Sequence, residues 1–99
     1  MLYALLARDE PDSLDRRQAV RAEHLARVEA LLSAGRLLTA GPLPAIDSAE
    51  PGPAGFVGSL IIAEFDSLAA AQTWAQQDPY LASGAWREVE VFPYKMVLP

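Results

Sequence analysis

From Leu2 to Ala7 the chain is apolar at successive positions, on both faces of an alternating pattern. That predicts a strand buried on both sides or set in the centre of a sheet. Arg8-Asp9-Glu10-Pro11-Asp12-Ser13 closes it with turn residues, and Asp12 or Ser13 is placed to cap a following helix. From Leu14 to about Ala34 the pattern becomes helical. At about 100° per residue, Val20, Leu25, Val28, Leu31 and Leu32 share one broad arc, while Glu23 and Glu29 lie off it. Gly35 supplies the stop. A break near Val20–Ala22 would split off a short helix and leave this face largely intact.

Arg36 to Leu43 reads as a second strand, ended by Gly41-Pro42-Leu43-Pro44, and Ala45 to Gly55 is the one long loop. Val57 to Phe65 reads as a third strand around Leu60-Ile61-Ile62-Ala63. Ser67 can cap a second helix, Leu68 to about Gln76, with Leu68, Ala71, Trp74 and Ala75 on one face. Asp78-Pro79 starts a short helical turn that Gly84 ends. Glu88 to Leu98 forms the last strand, with Val89, Val91, Tyr94 and Met96 as candidates for burial and Pro93 on an edge or at a bulge. The order β-α-β-β-α-β over residues 1–99 predicts one α+β domain of ferredoxin-like arrangement, a four-stranded antiparallel sheet with both helices on one face. The other face needs a cover, and in a short chain the natural cover is a second copy, giving a homodimer packed sheet to sheet.

Composition narrows the chemistry. With 99 residues the core is thin, which strengthens the case for self-association. There is no cysteine, so no thiol nucleophile, zinc ribbon or iron–sulfur cluster, and the single histidine rules out a histidine-rich metal site within one chain. A net charge of −5 argues against a nucleic-acid-binding surface. No apolar run approaches a membrane span, and Met1–Arg8 reads as a strand rather than a signal peptide, so the expected location is the cytoplasm.

His24 is the only side chain that ordinarily titrates near neutral pH, and it falls between Val20 and Val28 on the apolar arc. Facing inward, it either bonds a carbonyl at the core's edge or borders a cavity. Asp78 has a sufficient task as the cap of the turn begun by Pro79, and alternatively could orient His24. Arg17 and Arg21, four apart, share His24's side of a continuous helix. They could hold a carboxylate or phenolate there, or form a solvated face paired with Asp12, Asp15 or a neighbouring acid. Gly52, Gly55 and Gly58 do not match a phosphate-binding loop, and Ser59 has no nucleophile-elbow context, which leaves it as a polar lining residue. Trp74, Trp86, Phe56, Phe92 and Tyr80 read mostly as core or dimer-interface aromatics, of which one or two could wall a pocket for a planar ligand.

Several stretches occur together in a recognisable order: Ala7-Arg8-Asp9, Arg21 to Arg27, Gly35 to Pro42, Ala54 to Ser59, Ala63-Glu64-Phe65 and Trp74 to Tyr80. In them the chain resembles the YCII-related (YciI-like) family over essentially its whole length. The resemblance implies a ferredoxin-like fold of the dimeric α+β barrel group and an enzyme with a histidine–aspartate pair in a pocket. One relative is a dehydrochlorinase domain acting on a chlorinated, hydroxylated aromatic ring. By motif match the pair falls on His24 and Asp78, with Ser59 a further pocket residue. The expectation is a cofactor-independent enzyme of lyase or isomerase type, acting by acid–base chemistry on a small cyclic or aromatic molecule, with Arg17 or Arg21 holding an anionic group. The alternatives are a non-catalytic dimeric module that binds a metabolite in the same pocket, and a His24–Asp78 pair that serves packing alone.

Overall fold

The computed structural model describes residues 1–99. Four strands, β1 (Leu2–Asp9), β2 (Leu37–Pro44), β3 (Phe56–Glu64) and β4 (Trp86–Tyr94), alternate with helices α1 (Leu14–Ser33), α2 (Leu68–Gln76) and the short α3 (Pro79–Ala82). The sheet order is β2-β3-β1-β4, antiparallel throughout, which is the ferredoxin-like arrangement. β1 lies in the interior of the sheet, as its two-sided apolar pattern requires. Its register pairs Leu5 with Ile61 on β3 and with Val91 on β4.

Alternation then sorts the side chains. Tyr3, Leu5 and Ala7 of β1 and Ile61 and Ala63 of β3 meet Val28 and Leu31 of α1, Ala71 and Ala75 of α2, Tyr80 of α3 and Trp86 in one core. Leu5 and Ile61 are each 1% exposed. Burial of each contributes about 1.5–3 kcal/mol. The opposite face carries Leu2, Ala4, Leu6, Leu60, Ile62 and Phe92, and no helix of the chain packs on it.

The expectation of a barrel is corrected. β2 and β4 are free edges at opposite ends of an open sheet and are not bonded to each other. Four strands are too few to close around a packed interior. Both edges also carry proline, Pro42 and Pro44 on β2 and Pro93 on β4, which deprives them of donors for further pairing.

Three local readings also change. Ser13 occupies the cap position of α1, but its hydroxyl donates to Asp9 Oδ2 instead of accepting from the helix. β4 begins at Trp86 and ends at Tyr94, so Met96 falls outside it and is exposed. Leu32 is likewise exposed, near the end of α1. The break in α1 is real: Val20 departs from helical geometry with φ −130° and ψ 17°. Ser67 caps α2 by accepting from the Ala70 amide. No helix is long and apolar enough to cross a membrane.

Candidate active site

His24 sits on α1 just beyond the kink, 8% exposed. Its Nδ1 lies 2.9 Å from both carboxylate oxygens of Asp78, which is itself 1% exposed. Asp78 holds extended backbone ahead of α3, and its Oδ1 accepts from the Tyr80 amide at 2.9 Å. Its Oδ2 accepts from Arg27 Nη1 at 3.2 Å. Arg27, three residues past His24, is fixed in turn by the Trp74 carbonyl at 2.7 Å and by stacking 4.2 Å from the Trp74 ring centroid. The cap and the histidine partner are therefore one carboxylate performing both tasks. Buried alone, that carboxylate would cost several kcal/mol in lost hydration; here an imidazole, a guanidinium and a backbone amide replace the water. A carboxylate only accepts, so Nδ1 is the nitrogen that donates to it, and Nε2 has no partner within the chain.

A cavity of about 420 Å³ opens beside this pair. Leu14, Leu25, Val28, Phe56 and Ile61 form its apolar wall; Arg17, Gln18, Arg21, His24, Ser59 and Tyr80 supply its polar groups, and no carboxylate lines it. The Tyr80 ring stacks on the imidazole with centroids 4.0 Å apart and planes 16° from parallel. Trp86 meets both rings edge-on, at 5.5 Å and 5.4 Å. Burial pushes the Tyr80 phenol above the ordinary tyrosine range. The guanidinium groups of Arg17 and Arg21 pull the other way, and the Asp78 charge adds to the rise.

The two arginines read together in the sequence have different fates. Arg17 is buried, with Nε 2.6 Å from Asp9 Oδ2 and Nη2 2.8 Å from Asp9 Oδ1. Nη2 also donates to the Gly58 carbonyl at 2.9 Å and to Ser59 Oγ at 3.0 Å. Its acid is thus Asp9, not Asp12 or Asp15, and most of its charge is already answered. Arg21 lines the same cavity, is exposed and makes no ion pair within the chain. Ser59 is buried on β3 as a lining residue, its oxygen engaged by Arg17.

Asp9, Arg27 and Tyr80 were not singled out as site residues from the sequence. Asp9 continues the Tyr3, Leu5, Ala7 alternation and so falls on the helix-facing side of β1, where an acid needs a partner. Arg27 shares His24's helical face by spacing. Tyr80 was marked only as one of several aromatics able to wall a pocket for a planar ligand.

Known proteins share this chain's features along its length. The YCII-related domain matches residues 1–95. Protein YciI of Escherichia coli O6:H1 is 58% identical over 97 residues, covering 98% of this chain and 99% of that one. An uncharacterized protein of Haemophilus influenzae is 52% identical over the same length. Among solved structures, 5-chloro-2-hydroxyhydroquinone dehydrochlorinase from Burkholderia phenoliruptrix AC1100, in complex with 2,5-dihydroxybenzoquinone, superposes with a TM-score of 0.82. Its identity is 26%, over 96% of this chain and 94% of that one.

Proposed function

The chain belongs to the YCII-related family, and from that premise we propose that it is a cofactor-independent enzyme. Its reaction would be proton transfer on a small cyclic or aromatic molecule: an elimination, an isomerisation or a tautomerisation. The observation that carries this reading is the buried His24–Asp78 pair at the cavity wall, with Nε2 left unpaired. His24 moves the proton through Nε2, and Asp78 holds the ring and its tautomer. Arg21, with no acid of its own, holds an anionic group of the substrate; Arg17 and Ser59 shape the polar wall. Positioned acid–base assistance of this kind is typically worth about 10²–10⁴-fold in rate, enough for an activated C–H or O–H and too little for an amide. The similar dehydrochlorinase, which acts on a chlorinated trihydroxybenzene and is seen with a dihydroxyquinone, supports a planar, oxygenated substrate class.

Two further features belong to the proposal. The uncovered apolar face of the sheet supports a homodimer packed face to face, and the expected setting is the cytoplasm. The competing reading, a module that binds a metabolite in this cavity without converting it, makes a different prediction for one variant. A thermal-shift screen with hydroxylated aromatics, quinones, lactones and small carboxylic acids identifies a ligand, and His24→Asn is then compared with wild type. Binding retained with turnover abolished is the expected result. Turnover persisting in His24→Asn would remove the acid–base assignment. Sharply lower melts for His24→Ala and Asp78→Ala, with no ligand stabilising the wild type, would leave the pair a packing device.

A further inference from the structure

Three deeply set side chains of the cavity each keep hydrogen-bonding capacity that the rest of the chain does not use. His24, 8% exposed, uses Nδ1 on Asp78 and retains Nε2. Arg17, 6% exposed, uses Nε and Nη2 on Asp9, Gly58 and Ser59 and retains Nη1. Tyr80, 3% exposed, is held by its backbone amide and its ring; its hydroxyl oxygen lies within reach of the Arg17 guanidinium, which can only donate to it, and no acceptor within the chain takes its O–H. None of these atoms is sealed from solvent, since the only buried side-chain nitrogen or oxygen without a partner is Trp86 Nε1. An unpaired polar atom on a nearly buried side chain that solvent still reaches faces an opening, and the opening these three share is the 420 Å³ cavity.

Within the chain the hydroxyl of Tyr80 serves at most as an acceptor for Arg17, which Asp9, Gly58 and Ser59 already hold. Stacking on His24 and contact with Trp86 need only a phenyl ring. Burial keeps the phenol protonated, so at neutral pH it is an O–H donor on a ring stacked against the imidazole.

We propose that Tyr80 is a second catalytic residue: its hydroxyl donates a hydrogen bond to the substrate oxygen that gains negative charge as His24 takes a proton. The substrate class is then a phenol, an enol or an enolisable ketone. The proton passes from a substrate carbon or hydroxyl to Nε2, and the electron pair of the broken bond comes to rest on the oxygen as an enolate or phenolate. Tyr80 keeps its own proton throughout. Arg21 and Arg17 Nη1 balance the charge, and return of the proton from His24 to a different atom completes a tautomerisation. Preorganised donors aimed at developing charge are usually the largest electrostatic contribution to such a step. The proposal rests on the acid–base reading of His24.

The probe is 4-nitrophenol, whose ionised form is read by its visible absorbance, with 4-nitroanisole as the matched ligand that has no oxyanion. The wild type should bind the phenolate and lower the apparent pKa of the bound phenol. Tyr80→Phe should bind the phenolate about 10–100-fold more weakly, the loss expected when a hydrogen bond to a charged oxygen is removed. Its melting temperature and its affinity for 4-nitroanisole should match the wild type. The proposal is overturned if Tyr80→Phe binds nitrophenolate undiminished, if it loses both ligands alike, if it melts well below the wild type, or if the wild type does not bind the phenolate. These readouts need no turnover. A His24→Asn result that removes the acid–base reading is therefore a separate outcome from a Tyr80→Phe result that removes the hydroxyl's role.

Discussion

At the residue scale the site turns on one carboxylate. Asp78 caps α3 through Oδ1 and holds His24 and Arg27 through both oxygens, so its substitutions separate two tasks. Asp78→Asn can still accept from the Tyr80 amide and keep the cap, but its amide hydrogens now confront an N–H donor of His24 or Arg27. Asp78→Ala loses the cap as well, which alone is worth about 1 kcal/mol, and leaves Arg27 and His24 without their buried acceptor, a loss of about 3–5 kcal/mol. Thermal melts should therefore fall in the order wild type, Asn, Ala. In the Asn variant, nitrogen NMR shifts of His24 should show the proton no longer confined to Nδ1. Equal melts for Asn and Ala would mean that the cap contributes nothing.

Tyr80 makes a second prediction at the same scale. Its phenol is raised above the usual value of about 10 by burial. Above that pH the unfolded chain gives up this proton before the folded one does. Stability contributed by the protonated phenol is therefore complete below about pH 10 and is lost as pH rises through the folded value. Wild type and Tyr80→Phe should melt alike at neutral pH. At increasingly alkaline pH the wild type should fall progressively below the variant; parallel curves would deny the burial effect.

At the scale of elements, the polar wall depends on how α1 and β3 meet. α1 carries Arg17 before its kink and His24 after it, and the Asp9–Arg17 pair ties its first half to the ends of β1 and β3. Gly58 is where this joint is tightest. A Cβ there would lie 2.1 Å from the Ala7 carbonyl oxygen, which is backbone of the paired strand β1, and 3.3 Å from the Leu43 side chain. Gly58→Ala must therefore shift β1 against β3 and move the carbonyl that accepts from Arg17. The cost expected for forcing extra volume into packed structure is about 1–3 kcal/mol, read as a lower melting temperature, together with weakened ligand binding in the cavity. A melt and affinity like the wild type's would show that the strands part there freely. At this scale the chain was also most legible. Each strand and helix fell within a few residues of its expected place, because apolar period, caps and turn residues are local properties. Ser13 was misjudged because Asp9, four residues earlier, competes for its hydroxyl, and that competition exists only once β1 turns its Asp9 inward.

At the scale of the whole molecule, the sheet is an open layer with helices on one side. Its other side, with Leu6, Leu60, Ile62 and Phe92, forms a half-covered apolar surface; Phe92 alone remains 47% exposed. Arg8 lies at its border, beside Glu88 and Glu90. The proposed dimer buries that surface, and Phe92→Glu would place a charge in its middle. Sedimentation equilibrium should then show the mass of one chain for the variant and of two for the wild type. If the variant stays dimeric, the interface lies elsewhere.

The sequence by itself determined the order and kind of the elements, the ferredoxin-like arrangement and the narrowing of neutral-pH proton chemistry to a single histidine. Those follow from spacing and from the absence of cysteine and of other histidines, both of which can be read along the chain. Only the tertiary structure decided that Asp78, 54 residues away, reaches His24. It alone showed that Arg17 is answered by Asp9 while Arg21 stays free, that Tyr80 lies against the imidazole, and that the sheet ends in two open edges. Each of these depends on which side chains arrive at one place from distant parts of the chain. Local periodicity says which face a residue occupies, and long-range packing says what waits for it there.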